Sequence, residues 1–96
     1  MNMFEIKHNK EKSKGNFSAV DDGITAGGIY YTMAGETRMI LDHTEVNNDY
    51  REQGIGKKIL MHIVDYVREN KIEIIPLCPF AKSVFDKTES IRDVLA

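Results

Sequence analysis

The loop around Gly54 and Gly56 has the residue types of an anion-binding site. Neither glycine has a Cβ atom, so their backbone N–H groups can approach a ligand closely. A helical pattern begins at Ile55, and the unpaired N–H groups and positive dipole end of a helix N-terminus suit a phosphate. Lys57 and Lys58 add positive charge. The pattern predicts a phosphate site or, as the alternative, a tight strand-to-helix turn without a ligand.

Two common nucleotide-binding motifs do not fit this loop. A Walker A motif would need glycine at the position of Arg51 and serine or threonine at the position of Lys58. A Rossmann GxGxxG motif fails because Ile59 stands where its last glycine would be. The sequence therefore predicts an anion site of another type.

The residues after the loop predict a helix, a parallel strand and a second helix. The first helix has apolar residues at the spacing of one face, and Asn70 is its expected C-terminal cap. A β-branched strand follows at 72–77, and Pro79 suits the first turn of the next helix. A strand-helix-strand order with a short link requires a parallel pair of strands. A last amphipathic turn at 91–95 is expected to lie against the sheet.

The first half of the chain predicts an antiparallel meander. Its strands are expected near 4–7 and at 17–21, Ile24–Met33 and 37–46, with a polar turn at 9–15. Gly27 and Gly28 suggest either a bulge or the close approach of another backbone. Tyr30 and Tyr31 should point to opposite faces of the sheet, and His8 should be solvated.

Composition limits the function classes. The 96 residues are expected to form a single domain over 1–96, with 42% hydrophobic and 29% charged residues, as in ordinary globular proteins. A net charge of -2 argues against duplex nucleic acid as a partner, because phosphate binding needs a clustered basic face. The longest uncharged stretch has 13 residues and four glycines, so no membrane span is expected.

Cysteine and histidine usage narrows these classes further. Cys78 is the only cysteine, which excludes an intramolecular disulfide and a four-cysteine zinc site. No pair of His or Cys residues has metal-ligand spacing, so no metal is implied. The first 14 residues lack the apolar run of a secretory signal, and a cytoplasmic protein is expected.

Residues 51–56, Arg-Glu-Gln-Gly-Ile-Gly, fit every fixed position of the pattern [QR]-x-x-G-x-[GA]. This segment resembles the acyl-CoA-binding loop of the GCN5-related N-acetyltransferases. Residues 43–46 and 76–80 are similar to segments of the very small members of that superfamily, and the resemblance covers about 41–87. It implies an α/β (α+β) fold, a reduced N-acyltransferase core whose mostly antiparallel sheet has one parallel strand pair and two to three helices.

The resemblance also implies acetyl-CoA or CoA as the ligand. Val46 would offer backbone groups to the pantetheine arm, and Phe80 and Val84 would line the far side of the CoA cleft. The pyrophosphate would be held by Arg51, Glu52, Gln53, Gly54, Ile55, Gly56 and Lys57.

The sequence departs from the superfamily pattern at four places. Glu52 stands where glycine is usual, and its negative charge should weaken pyrophosphate binding unless it points to solvent. Phe85 occupies the position of the usual acidic tyrosine, and Cys78 that of an asparagine. The helices that normally cover the acceptor have no counterpart after the first strand, so an acceptor would meet an open cleft.

Acetyl transfer to an amine needs a base for the ammonium proton and an acid for the departing thiolate. Strand alternation places His43 and Glu45 on one face, where either could relay a proton, although charged residues at a strand end are usually only solvated. By resemblance Cys78 would face the thioester, as an acyl acceptor or a proton donor. The alternative is that its thiol packs as a small hydrophobe.

Three functions remain open. The leading hypothesis is a minimal N-acetyltransferase that transfers the acetyl group of acetyl-CoA to an unidentified amine. The alternative is a non-catalytic CoA or acyl-CoA binding module, and a purely structural interaction domain ranks last. Neither a nucleic acid nor a membrane is expected as a partner, and the sequence leaves the oligomeric state open.

Overall fold

Four strands joined by short turns form most of the sheet. The computed structural model describes residues 4–96, and within them the strands are β1 (Glu5–Glu11), β2 (Lys14–Asp21), β3 (Ile24–Met33) and β4 (Arg38–Val46). Each pairs antiparallel with the next. The predicted meander is confirmed.

The second half supplies the helices and the fifth strand. After a 3₁₀ turn at Asn48–Tyr50 come α1 (Ile55–Asn70), β5 (Glu73–Pro76), α2 (Pro79–Lys87) and a 3₁₀ helix at Glu89–Val94. β5 pairs parallel with β4, so the strand order is β1-β2-β3-β4-β5. The predicted fold class, a mostly antiparallel sheet with one parallel pair, is confirmed.

The polar turn predicted at 9–15 is wrong. β1 continues to Glu11 and β2 begins at Lys14, so only Lys12 and Ser13 form the turn. Lys12 takes a positive φ of 58°. Glu11 pairs directly with Lys14, and opposite charges facing across a hairpin stabilise the extended arm. The second strand is therefore three residues longer than predicted.

The alternation of side chains between the two faces of the sheet is interrupted within β4. Tyr31 pairs with Leu41 and Tyr30 with His43, so Asp42 is the extra residue of a β-bulge. Thr32 Oγ1 donates a hydrogen bond of 2.7 Å to Asp42 Oδ2. As a result Leu41 and Thr44 point toward one face of the sheet, while His43 points toward the other.

Gly27 is required by a close backbone approach. A Cβ atom there would lie 2.8 Å from the carbonyl oxygen of Glu45, inside the contact limit. The bulge in the pairing of β2 with β3 lies beside it, since Ala19 pairs with Gly27 and Val20 with Thr25. Of the two alternatives for Gly27 and Gly28, the close approach therefore holds for Gly27.

α1 packs its apolar stripe on one face of the sheet. Its buried residues are those predicted from the spacing, together with Gly56: Ile55, Gly56, Ile59, Leu60, Ile63, Val64 and Val67. The helix ends at Asn70, but its C-cap is Lys71, with φ 57° and its N–H donating to the Val67 carbonyl. The predicted cap at Asn70 is therefore wrong by one residue. The side-chain amide of Asn70 instead donates a hydrogen bond to the Tyr66 carbonyl oxygen.

The C-terminal segment closes the core against β5. Leu95 bridges to Ile74, and Ala96 N–H donates to the Ile74 carbonyl at 3.0 Å. Arg68 of α1 donates two hydrogen bonds to the Asp93 carboxylate, at 3.1 and 2.6 Å. The predicted last turn against the sheet is confirmed. No helix within residues 4–96 is long and apolar enough to cross a membrane.

His8 is packed rather than solvated, contrary to the prediction. Its ring stacks on Phe17 with centroids 3.9 Å apart, and its Nε2 lies 2.7 Å from the Tyr31 hydroxyl. Tyr66 of α1 meets it edge-on. Burial lowers the pKa of His8 below its usual value of 6.5, and the nearby charges of Lys10 and His62 lower it further. β1 is thus tied to the core by an aromatic cluster.

We expect the free energy of unfolding to fall as the pH drops through 6.5. The folded pKa of His8 is depressed, so the unfolded chain binds the proton more readily and acid favours unfolding. This contribution to stability is complete above the unfolded pKa and is lost as the pH falls through the folded one. Urea unfolding at about pH 5 to 8 should show a smaller pH slope for His8→Gln than for wild type. His43 and His62 are present in both proteins, so an equal slope would contradict the assignment.

Candidate functional site

The glycine loop (residues 51–57) is exposed up to the start of α1. Arg51, Glu52, Gln53 and Gly54 are all solvent-accessible, while Ile55 and Gly56 are buried. Glu52 and Gly54 take positive φ angles of 64° and 70°. Because Glu52 is exposed, its carboxylate can point to solvent, away from a pyrophosphate bound at the loop.

Two hydrogen bonds anchor the chain just before this loop. The Asn47 side chain accepts from the Asp49 N–H at 3.0 Å and caps the 3₁₀ turn. The Tyr50 hydroxyl donates to Asp21 Oδ2 at 2.7 Å, and this hydrogen bond raises the pKa of Tyr50. The entrance of the loop is therefore fixed to the end of β2.

The first turn of α1 presents bare backbone to a neighbouring ring. A Cβ atom on Gly56 would lie 2.7 Å from Cζ of Phe80, so the Phe80 ring rests directly against this glycine.

The two lysines of this turn have different surroundings. Lys58 Nζ lies 4.9 Å from the centre of the Phe4 ring, a cation–π distance. Lys57 is exposed, so its ammonium is in reach of a ligand at the loop.

β4 and β5 separate beside this loop. Their pairing runs from Arg38 with Glu73 to Leu41 with Pro76, and the N–H groups of Leu77 and Cys78 both donate to the Leu41 carbonyl. β4 continues beyond that point to Val46, whose side chain is 37% exposed. The two strands thus diverge after the Leu41–Pro76 pair.

Cys78 lies at the point of divergence, on the side of the sheet that α1 covers. It is 2% exposed and is the N-cap of α2, with its Sγ accepting from Ala81 N–H at 3.3 Å. Thr44 Oγ1 is 3.3 Å from the same sulfur. The thiol therefore has two polar partners and is not simply an apolar filler.

His43 and Glu45 lie on the opposite face. His43 Nε2 is 3.1 Å from Glu45 Oε2, and the two side chains are 56% and 63% exposed. The Tyr30 ring stacks on His43, with centroids 4.5 Å apart and planes 8° from parallel. The expectation that His43 and Glu45 share a face is confirmed, as is the prediction that Tyr30 and Tyr31 point to opposite faces, with Tyr31 buried.

The backbone of β4 thus separates the predicted catalytic residues. Thr44 and Cys78 lie on one side of the strand, and His43 and Glu45 lie on the other.

The residues of α2 that were predicted to face the cleft differ in exposure. Val84 is 9% exposed within the core, whereas Phe80 is 36% exposed at the N-terminal turn of α2. Phe85, in the position of the usual tyrosine, is 2% exposed, so no phenol faces the cleft there.

Sequence reasoning missed Thr44 and Tyr30 as members of the site. Thr44 reaches Cys78 only because the bulge at Asp42 reverses the alternation of β4. Tyr30 meets His43 because the two residues pair directly across β3 and β4. A correct register would have revealed Tyr30. Among residues 4–96 no group of three or more His, Cys, Asp and Glu side chains could hold a metal ion.

The sequence profile of the family described as GCN5-related N-acetyl-transferase matches residues 16–94. The chain belongs to this family. The solution structure of a GCN5-like protein from Staphylococcus aureus is 34% identical, with a TM-score of 0.73, and the match covers 100% of this chain and 91% of that one. No match was found among curated proteins.

Larger GCN5-related N-acetyltransferases share the fold at lower identity. A family member from Elizabethkingia anophelis with acetyl-CoA bound has a TM-score of 0.68 at 10% identity, covering 79% of this chain and 65% of that one. The ribosomal-protein-S18-alanine N-acetyltransferase of Escherichia coli has a TM-score of 0.68 at 19% identity, covering 82% and 54%. This chain spans about half the length of the E. coli enzyme.

Proposed function

We propose that the protein is an acetyl-CoA-dependent N-acetyltransferase that acetylates an amine. The observation that carries the proposal is the exposed glycine loop at the start of α1, placed beside the point where β4 and β5 diverge. Helix N-terminal N–H groups and the Lys57 ammonium would bind the pyrophosphate, with Arg51 adding charge. The free edge of β4 near Val46 would hydrogen-bond the pantetheine arm.

Gly54 and the other loop residues would thus bind CoA, while β4 and the N-cap of α2 would supply the chemistry. An acceptor ammonium loses one proton to Glu45, directly or through His43, and the neutral nitrogen attacks the thioester carbonyl carbon. The C–N bond forms, the attacking nitrogen releases its second proton to solvent, the C–S bond breaks, and the CoA thiolate takes up one proton. Cys78, held by Thr44 and the α2 N-terminus, is the group proposed to donate that proton, and it is reprotonated from solvent.

The alternative in which Cys78 first accepts the acetyl group makes a different kinetic prediction. An acyl-cysteine intermediate would release CoA before any amine is present, in an amount equal to the enzyme. Direct transfer releases CoA only when an amine is added. Rapid mixing of the protein with acetyl-CoA alone therefore separates the two routes.

A binding module without turnover is the second candidate. The burial of Phe85, where the superfamily has an acidic tyrosine, and the 2% exposure of Cys78 favour it. In both functions the protein binds acetyl-CoA, and only the enzyme consumes it. A cytoplasmic location is part of the proposal, since the unpaired thiol of Cys78 suits a reducing compartment.

The test is calorimetric titration with acetyl-CoA followed by CoA release with a panel of amines. We expect saturable binding, and we expect Glu45→Gln to lower turnover roughly 100-fold because the base is lost. Glu73→Gln is the matched control, since Glu73 is an exposed carboxylate on the neighbouring strand. Binding without turnover would favour the module, and the absence of binding would refute both functions.

A further inference from the structure

A small groove opens on the face of the sheet opposite α1, beside Glu45. Its volume is about 270 Å³, below the usual size of a pocket that buries a whole ligand. It is therefore suited to the end of a larger molecule or to a small compound. The residues that line it are Thr25, Gly27, Gly28, Tyr30, Glu45, Val46 and Asn47.

Gly28 helps to keep this groove open without being required by the packing. A Cβ atom there would meet its nearest neighbours at 3.5 to 3.9 Å, which is ordinary contact, and its φ is not positive. Gly27, by contrast, is fixed by the carbonyl of Glu45. A glycine inside a strand lowers the stability of that strand. Because the packing would accept a larger side chain at Gly28, the packing alone does not account for a glycine at this position.

The groove has the charge and shape of a cation site. Gly28 pairs directly with Glu45, which places the carboxylate side chain beside the open backbone. Glu45 is the only charged residue among those that line the groove within residues 4–96. The Tyr30 ring forms a wall, and an aromatic face attracts a cation. A carboxylate as the one charged group of the lining favours a positive ligand and disfavours one that carries its own carboxylate.

The orientation of the wall is fixed by a stacked pair. Tyr30 has the parallel stack with His43, and His43 in turn contacts the Glu45 carboxylate at 3.1 Å. The three side chains therefore hold one another in place at the edge of the groove. The Asn47 amide donates to the Thr25 carbonyl at 3.4 Å and closes the far end.

We propose that this groove is the acceptor subsite and that it binds a primary ammonium group without an adjacent carboxylate, such as that of an alkylamine or a lysine side chain. Glu45 is the counter-ion, Tyr30 contributes its ring, and Gly28 leaves room for the carbon next to the nitrogen. The assignment rests on the proposed function, because it names the substrate class of that reaction. Free α-amino acids are disfavoured.

The test is an NMR titration of the ¹⁵N-labelled protein with n-pentylamine at neutral pH, where the amine is charged. Saturable shifts of the Gly28 and Glu45 amide signals are expected. Norleucine, which carries an added carboxylate, and 1-pentanol, which lacks the charge, should bind about tenfold more weakly or not at all. Equal shifts with 1-pentanol, or shifts that avoid these two amides, would overturn the assignment.

Substitutions of the residues that line the groove test the same assignment. Gly28→Val fills the groove with a side chain that suits strands, so pentylamine binding should be lost while the thermal unfolding midpoint is kept or raised. Glu45→Gln should weaken pentylamine about tenfold and leave 1-pentanol unchanged. If Gly28→Val does not fold, Gly28→Ala and Tyr30→Leu serve the same purpose, and unchanged pentylamine binding in these variants would refute the groove.

The same samples separate this inference from the function on which it rests. Acetyl-CoA titration should be unaffected by Gly28→Val, because Gly28 lies outside the glycine loop. Pentylamine binding without acetyl-CoA binding would refute the acetyltransferase and keep the cation groove. Acetyl-CoA turnover of amines that is unchanged in Gly28→Val would keep the enzyme and refute this acceptor subsite.

Discussion

Replacing Gly54 with tryptophan is expected to weaken acetyl-CoA binding by about 100-fold or more, equivalent to about 2.8 kcal/mol. The bulky ring would occupy the approach to the N–H groups at the start of α1, where the pyrophosphate is proposed to lie. Gly54 is exposed and a Cβ atom there meets nothing within 4 Å, so the ring can be placed without a collision in the core. Calorimetric titration measures the loss directly.

Gly35 provides a matched control for this substitution. It is also exposed, has a φ of 75° against 70° for Gly54, and is open to solvent. Tryptophan at either position suffers the same left-handed backbone strain of about 1 to 2 kcal/mol. Gly35→Trp should therefore lose similar stability and keep its affinity for acetyl-CoA. Equal affinity losses in the two variants would show that the glycine loop is only a turn.

Phe17→Ala is expected to lower the free energy of unfolding by about 3 to 5 kcal/mol. Phe17 is fully buried on β2, stacks on His8, and contacts Tyr31 and Tyr66. A domain of 96 residues has a total stability of roughly 5 to 14 kcal/mol, so this one change removes a large share of it. Urea unfolding followed by circular dichroism gives the difference.

The control is the same substitution at an exposed phenylalanine. Phe80 is 36% exposed, so Phe80→Ala should cost clearly less than Phe17→Ala. Should Phe17→Ala fail to fold, Phe17→Leu retains most of the volume and should lose stability measurably while remaining folded. A loss at Phe17 no larger than that at Phe80 would contradict the central place of the aromatic cluster in the core.

The elements with strong periodicity could be predicted from sequence. The apolar stripe of α1, the β-branched run before Pro76 and the position of Pro79 gave the strand-helix-strand-helix order that the structure has. The ends of the strands within residues 9–15 could not be predicted from sequence, because the exposed arms of a hairpin are as polar as a turn. The length of that hairpin is decided instead by pairing, with Glu11 opposite Lys14.

The helix end and the packing of His8 were missed for similar reasons. Lys71 takes the left-handed conformation because its N–H and that of Ile72 satisfy the Val67 carbonyl, a gain that outweighs the preference for asparagine or glycine. His8 is half-buried between Phe17, its partner across the β1–β2 hairpin, and Tyr66 of α1, which lies far from it in the sequence. Such tertiary contacts have no local sequence signal.

Most residues proposed for the site were chosen from the sequence, but Thr44, Tyr30 and the arrangement of the site were not. The glycine loop follows from a pattern of six residues, and its exposure agrees with that pattern. The relation of Cys78 to Glu45 depends on the bulge at Asp42, and a bulge of one residue leaves no mark on hydrophobic alternation in a polar stretch. Cys78 therefore lies beside β4, next to Thr44, while Glu45 points away on the opposite face of that strand.

The bulge at Asp42 has a consequence for how this protein can diversify. Before it, β4 contributes Met39 and Leu41 to the core, and after it the outward residues are His43 and Glu45. Substitutions on the outward side would change the proposed acceptor surface without altering the thiol side of the strand. In the proposed reaction, this one inserted residue would make the acceptor side and the thiol side of β4 separately adjustable by substitution.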